Sequence, residues 1–375
     1  MVDVVSYLQH APNASVYAPI GDMQFSSNDD ECNCGSCMSN VPLRQNQRRD
    51  FDRWDGHEEP DDEEQYLLCP PRVLGYHLET RTWLELSVDD IKVIENTTSD
   101  KAFEGLQLDQ DHKDLIKQLV QSHSSTTNKK PIMEDIVKDK GKGLVMLLHG
   151  PPGVGKTLTA ESIASLTGKP LFAVTTSDIG LDPADVERNL EVLFQLAARW
   201  RAVLLFDEAD VFLESRSAST ADLARNALVS VLLRVLEYYK GILILTTNRI
   251  RKFDVAVLSR INLGIKYEML EFDQKKAIFS QFLENAAPGS IQKKEDIMQW
   301  FSSSDAKEYF KPLNGRQIRN VLFSAASLGS SKDDGKLTLR QIKIMAKITF
   351  KFQDSLRHEM EKWAQRNEAG QPQLD

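Results

Sequence analysis

Gly150-Pro151-Pro152-Gly153-Val154-Gly155-Lys156-Thr157 decides how this chain is read. The stretch fills the pattern Gly-x4-Gly-Lys-[Ser/Thr], and its surroundings supply what that pattern needs. The apolar run Leu144-Val145-Met146-Leu147-Leu148 leads in as a buried strand, and Thr157 to Leu166 leads out as a helix. Glycine lets main-chain N–H groups close around phosphate oxygens where a side chain would collide. The start of the following helix adds partial positive charge beneath the same oxygens. Lys156 is long enough to reach the outer phosphates, and the Thr157 hydroxyl is placed to ligate Mg²⁺. Strand, loop and helix together predict a site for a nucleoside triphosphate, built by these residues and the adjoining Leu158.

Outward from the loop, short apolar runs alternate with helical stretches from about Lys142 to Met269. The runs are Leu144–Leu148, Leu171–Val174, Val203–Phe206, Ile242–Leu245 and Leu263–Tyr267. Continuous apolar runs separated by helices are what a parallel sheet covered on both faces requires. The expected fold class is α/β, a doubly wound parallel sheet followed after Asp273 by a small helical domain. The run Val203–Phe206 ends in Asp207-Glu208, which puts two carboxylates at the carboxyl edge of the sheet, where ligands of such folds bind. Asp207 is the candidate for holding Mg²⁺, and Glu208 for orienting and deprotonating an attacking water. The letters Asp207-Glu208-Ala209-Asp210 also spell a helicase motif. Such helicases need a second α/β domain, whereas the 165 residues after Asp210 read as two strands and then helices.

The run Ile242–Leu245 ends in Thr246-Thr247-Asn248-Arg249, and an amide there can hydrogen-bond both the attacking water and the γ-phosphate. Past it comes Ser259-Arg260. An arginine at that place can lie at a subunit boundary and insert toward a neighbour's γ-phosphate, a contribution of about 10³–10⁵ in rate where it occurs. Asn314-Gly315-Arg316-Gln317-Ile318-Arg319-Asn320 opens a helix after a break, and either arginine can reach back over the phosphates; Arg316 is the preferred candidate.

The formal charge of −9 is concentrated at one end: residues 1–65 carry 14 Asp/Glu against 4 Arg and no Lys, and the remainder is close to neutral. A near-neutral body gives no electrostatic footprint for nucleic acid. The start, Met1-Val2-Asp3, lacks a basic segment with a long apolar core behind it, and Leu228–Leu245 is interrupted by Arg234, Glu237 and Lys240, so neither a signal peptide nor a membrane span is read. Four cysteines in 375 residues fit a reducing compartment. A soluble, intracellular chain is expected. Residues 1–65 read as a disordered acidic tail holding the cluster Cys32, Cys34, Cys37, which has too few ligands for a structural zinc site. Residues 66–130 read as a small lead-in, with short strands at Val73–Tyr76 and Trp83–Val88 and an amphipathic helix over 109–122. The α/β domain is expected over 131–272, the helical lid over 273–350, and a terminal helix and tail over 351–375.

These phrases resemble the AAA+ ATPase superfamily over about residues 142–350, and within it a fungal group with long, divergent N-terminal regions. Leu148 to Thr157, Leu236-Glu237-Tyr238-Tyr239-Lys240-Gly241, Asn314 to Asn320 and Pro71 to Trp83 carry the likeness. The resemblance implies Lys156 and Thr157 as Walker A, Asp207 and Glu208 as Walker B, Asn248 as sensor 1, Arg260 as a finger acting in trans, and Arg316 as sensor 2. It implies ATP with Mg²⁺, a homo-oligomeric ring of six, and an unknown protein client or adaptor. Two departures stand out. Ser259-Arg260 replaces an Arg-Pro-Gly-Arg phrase, and Ser177-Asp178-Ile179-Gly180-Leu181-Asp182-Pro183 lacks the aromatic residue of polypeptide-threading loops. An Mg²⁺-dependent ATPase that remodels a partner is the reading; a slow ATP-operated switch and a small-molecule phosphotransferase are its rivals.

Overall fold

The computed structural model describes residues 1–11, 71–92, 100–124, 141–179, 183–210, 223–249, 254–332 and 335–369. They divide into two units, one within residues 1–95 and the other within 96–375.

In the first unit Asp3 caps helix α1 (Val4–His10) by accepting the Ser6 N–H at 3.0 Å. Strands β1 (Arg72–His77) and β2 (Thr82–Ser87) pair as an antiparallel hairpin. Val2 bridges to Gly75, where a Cβ would lie 2.5 Å from the Met1 carbonyl oxygen, so glycine is what lets the first residues lie on β1. Trp83 is the hub, with the rings of Tyr76, Tyr7 and His10 centred 4.8, 5.8 and 6.4 Å away. The expected tail over 1–65 is therefore corrected at its beginning, which holds a capped helix. Tyr7 is buried by a hairpin far along the chain, a partner that local periodicity cannot register. The cysteine cluster and residues 12–70 lie outside the described residues, as do Gly180–Asp182 of the threading-loop stretch.

The second unit opens with helices α2 (Asp100–Glu104) and α3 (Gln110–Ser124). Strand β3 (Leu144–His149) runs through the phosphate loop into α4 (Lys156–Thr167). There follow β4 (Leu171–Val174), α5 (Thr176–Ile179), α6 (Pro183–Arg199), β5 (Val203–Phe206), α7 (Leu223–Tyr238), β6 (Ile242–Thr247), α8 (Val255–Leu258) and β7 (Leu263–Lys266). The strands form one parallel sheet in the order β4-β5-β6-β3-β7. Every residue of β5 and β6 is buried, as a sheet covered on both faces demands. The expected α/β class and all five apolar runs are found.

The lead-in expected over 66–130 is not one piece. Phe103, Leu106, Ile116 and Val120 belong to the same core as Leu144, Met146, Leu148 and Ile163. Helix α3 thus packs with the sheet, and the division falls near residue 95. The polar stretch at 122–130 suggested a boundary, but a helix with a fully buried face at Ile116 and Val120 must stay with whatever covers it.

Beyond the sheet lie α9 (Phe272–Glu284), α10 (Lys294–Phe301), α11 (Ser304–Phe310), α12 (Gly315–Lys332) and α13 (Leu339–Ala369). They close over an aromatic centre in which Phe301 stands 4.2 Å from Phe279 and 4.7 Å from Phe310, ring centre to ring centre. The expected division at 350 falls inside α13, a continuous helix of 31 residues.

Candidate functional site

Parallel pairing brings the strand ends level. His149 lies opposite Thr247, and Phe206 opposite Leu245. Gly150, Asp207 and Asn248, the residues that follow these strands, therefore leave the sheet along one edge, with the phosphate-loop strand β3 next to β6 and β6 next to β5. The loop is tied to that edge by the Gly150 N–H, which donates to the Thr247 carbonyl at 3.2 Å. Gly155 caps α4 without any side-chain acceptor, so the leading end of the helix is left to an anion rather than to a side chain.

Lys156 is buried, and its ammonium donates to the carbonyls of Gly150 (2.9 Å) and Pro151 (2.7 Å) and to Asn248 Oδ1 (2.8 Å). Burial lowers its pKa; Asp207, Asp210 and Glu208 pull it back up, and Arg316 adds to the lowering. The Thr157 hydroxyl reaches both Asp207 carboxylate oxygens, at 3.2 and 3.1 Å. Five of the candidate side chains (Lys156, Thr157, Asp207, Glu208 and Asn248) thus line one cavity of about 580 Å³, well within the range of ligand pockets.

Some of the residues that build this edge gave no signal in the sequence. Thr246, fully buried, donates its hydroxyl to Asp207 and accepts the Glu208 N–H at 3.0 Å. Thr247 donates to Asp210 and accepts the Arg249 N–H. Glu208 itself has φ of 53°, a left-handed backbone that is unusual for a glutamate. Glu161, one turn along α4 from Thr157, also faces the cavity; burial first and then Asp207 raise its pKa. A Walker-type spelling marks the acids but not the hydroxyls that hold them.

The lid closes the other side. Asn314 and Gln317 exchange side-chain-to-backbone bonds of 2.9 Å in each direction, a reciprocal cap on α12. The same Asn314 donates to the Pro152 carbonyl at 3.3 Å, and the Gly315 N–H donates to Gly153 O at 2.9 Å. Gly153 has φ of 74°, and a Cβ there would collide with the Asn314 side chain, so the loop and the lid helix fit only with glycine between them. Arg316 and Arg319 both line the cavity. The Arg319 guanidinium lies 4.7 Å from the centre of the Phe323 ring, whereas the charge of Arg316 is felt by Lys156. The far end is walled by Gly105–Leu108, between α2 and α3, and by Ile278, Gln281 and Phe282 of α9. This apolar end was not anticipated, because its walls are separated by some 170 residues of chain and share no spelling.

Arg260 is not brought to the cavity. It ion-pairs with Glu237 of α7, and its guanidinium also donates to the Ala256 carbonyl at 2.8 Å.

The hydroxyl and carboxylate oxygens of Thr157 and Asp207 are hard donors of the kind Mg²⁺ takes, and one carboxylate completed by substrate phosphates is its usual manner of binding. Among the described residues no group of three or more His, Cys, Asp or Glu forms an all-protein cage.

Residues 146–269 match the family model described as "ATPase family associated with various cellular activities (AAA)". The chain is 28% identical over 215 residues to the ATPase family AAA domain-containing protein 3A homolog of Drosophila melanogaster, covering 54% of this chain and 35% of that one. It is 28% identical over 168 residues to the proteasome-associated ATPase of Acidothermus cellulolyticus, covering 38% and 29%. It is 35% identical over 143 residues to an uncharacterized AAA family ATPase of Sinorhizobium fredii, covering 37% and 42%. The chain therefore spans less than half the length of these relatives.

Proposed function

We propose that this chain, which belongs to the AAA+ ATPase superfamily, is an Mg²⁺-dependent ATP hydrolase that works at subunit boundaries and remodels a macromolecular partner. One observation carries the reading. The Thr157 hydroxyl lies on the Asp207 carboxylate, with the Lys156 ammonium, Asn248 and Glu208 around the same cavity. That is the donor set of metal-assisted phosphoryl transfer.

The loop amides and the start of α4 take the phosphate oxygens. Lys156, whose burial already disfavours its charge, exchanges the Gly150 and Pro151 carbonyls for those anionic acceptors. Thr157 and Asp207 would hold Mg²⁺, whose chemistry is to offset charge on the oxygens of the transferred group. Glu208 orients and deprotonates the water, and Asn248 bridges from Lys156 toward it. The apolar end between Leu106–Leu108 and α9 suits a planar base. Arg316 brings the lid's charge to the phosphates, and Asn314 ties lid angle to loop. Arg260 would act on a neighbour's nucleotide, in a ring that the family favours at six, once it exchanges Glu237 for phosphate.

The test is phosphate release from ATP with no acceptor added, in wild type and Glu208→Gln. The reading expects turnover in wild type and a loss of about 10²–10⁴ in the variant with ATP binding retained. Equal rates, or release only with a phosphate acceptor, would refute it.

A further inference from the structure

The Walker-type acids are held by a residue that no pattern names. Thr246 makes contacts to three consecutive residues at the end of β5. Its hydroxyl donates to Asp207 and accepts the Glu208 N–H at 3.0 Å, and its carbonyl accepts the Ala209 N–H at 2.8 Å. The hydroxyl's one hydrogen and one of its lone pairs are thereby committed in a side chain that is 1% exposed. Glu208, between the other two, has φ of 53°. For a residue with a Cβ that conformation is disfavoured and persists only where the surroundings fix it. Two of the surrounding bonds come from Thr246. The conformation also decides where the Glu208 side chain leaves the chain, because φ sets the direction of Cβ relative to the strand that precedes it.

We propose that Thr246 is a positioning residue for hydrolysis. It holds the Glu208 peptide in the left-handed form that turns its carboxylate into the cavity. Resting on the reading of the site as an ATP hydrolase, this assigns Thr246 to the chemical step and not to nucleotide binding. Valine at 246 keeps the branched shape and fits a buried strand, but leaves the Glu208 N–H without its acceptor and Asp207 without one donor. Serine keeps the hydroxyl.

The experiment compares Thr246→Val, Thr246→Ala and Thr246→Ser by steady-state phosphate release and by titration with a fluorescent ATP analogue. A double-mutant cycle against Glu208→Gln completes it. Expected is a fall in kcat of about 10–100-fold in the valine variant, with analogue Kd within about threefold of wild type. Serine should restore turnover to within about threefold, and valine should add nothing in the Glu208→Gln background, since both act through one carboxylate. A merely structural threonine would lower thermal stability and binding together and would stay additive with Glu208→Gln. Turnover of the valine variant within twofold of wild type, a parallel loss of binding, an additive cycle, or serine as impaired as valine overturns the proposal. If valine does not fold, alanine is read by the same criteria. Absence of turnover in wild type refutes the ATPase reading instead, so the two failures are distinct.

Discussion

Asn314 joins two jobs in one side chain, and substitution can separate them. Its Oδ1 accepts the Gln317 N–H at 2.9 Å, capping α12, while its Nδ2 donates to the Pro152 carbonyl at 3.3 Å. Losing an Asn cap to alanine costs about 1 kcal/mol. The second bond is long and solvent-facing, and contributes about 0.5 kcal/mol. Asn314→Ala should therefore destabilise by about 1.5 kcal/mol, or a fall of about 3–6 °C in Tm for a unit of this size. Asn314→Asp keeps an oxygen for the cap but replaces the donor to Pro152 with a negative charge beside the loop. Its Tm should stay within about 2 °C of wild type, while opposition to the phosphates, on the order of 1–2 kcal/mol, weakens ATP by about tenfold. The pair is measured by differential scanning fluorimetry without nucleotide and by titration with a fluorescent ATP analogue. An aspartate variant that binds ATP as wild type does would show that the lid does not report on the loop through this residue. An alanine variant with unchanged Tm would show that the reciprocal cap contributes nothing.

Lys156→Met should abolish binding without lowering the Tm of the free protein, since a buried ammonium is removed and its carbonyl acceptors lie on a loop at the cavity. The folded-state pKa of Lys156 lies below 10.5, so between that lowered value and 10.5 the unfolded chain holds a proton the folded one has released. Wild-type stability should rise with pH across that window relative to the methionine variant, and parallel melting curves across it would contradict the assigned burial. Arg260→Lys and Glu208→Gln should each be inactive alone. Mixed, they should regain ATPase activity, because about a quarter of the boundaries in a randomly mixed ring are intact; no recovery would rule out action in trans. Chelation of divalent cations should weaken ATP binding at least about tenfold by the same titration, and binding unaffected by chelator would remove Mg²⁺ from the site.

The sheet was legible because its strands are buried on both faces, which forces runs such as Val203–Phe206 to be apolar throughout. The phosphate loop was legible because its conformation needs particular residues at particular steps. What escaped were relations between distant segments. The polar stretch at 122–130 suggests a boundary behind helix α3, whereas Ile116 and Val120 complete the core around Met146 and Ile163. Helix α1 was lost in an acidic composition that says nothing about the Trp83 hub waiting for Tyr7. In the site, charged groups stand out by type, whereas the roles of Thr246 and Asn314 depend on which backbone groups face them. Arg260 stands out in the sequence by position, but the structure does not bring it to the cavity, and its pairing with Glu237 is visible only in three dimensions.

The charge balance of the cavity makes sense of the order in which its ligands must act. Glu161, Asp207, Glu208 and Asp210 stand near Lys156 and Arg316, with Arg319 already stacked on Phe323. Four carboxylates against these cations leave the cluster short of positive charge before any triphosphate arrives. Burial raises the pKa of Glu161 first, and the charge of Asp207 adds to that in the sense the surplus predicts. A polyanion alone would meet like charge at the edge where it must sit closest. On the proposed reading, a divalent cation held by Thr157 and Asp207 would reverse the local sign and turn the acids from an obstacle into a reason for binding. The same surplus explains why Glu208 needs a rigid backbone. A carboxylate repelled by its neighbours would favour solvent, and the φ of 53° at Glu208 sets the direction of its Cβ at the cavity, where the proposed reading needs it.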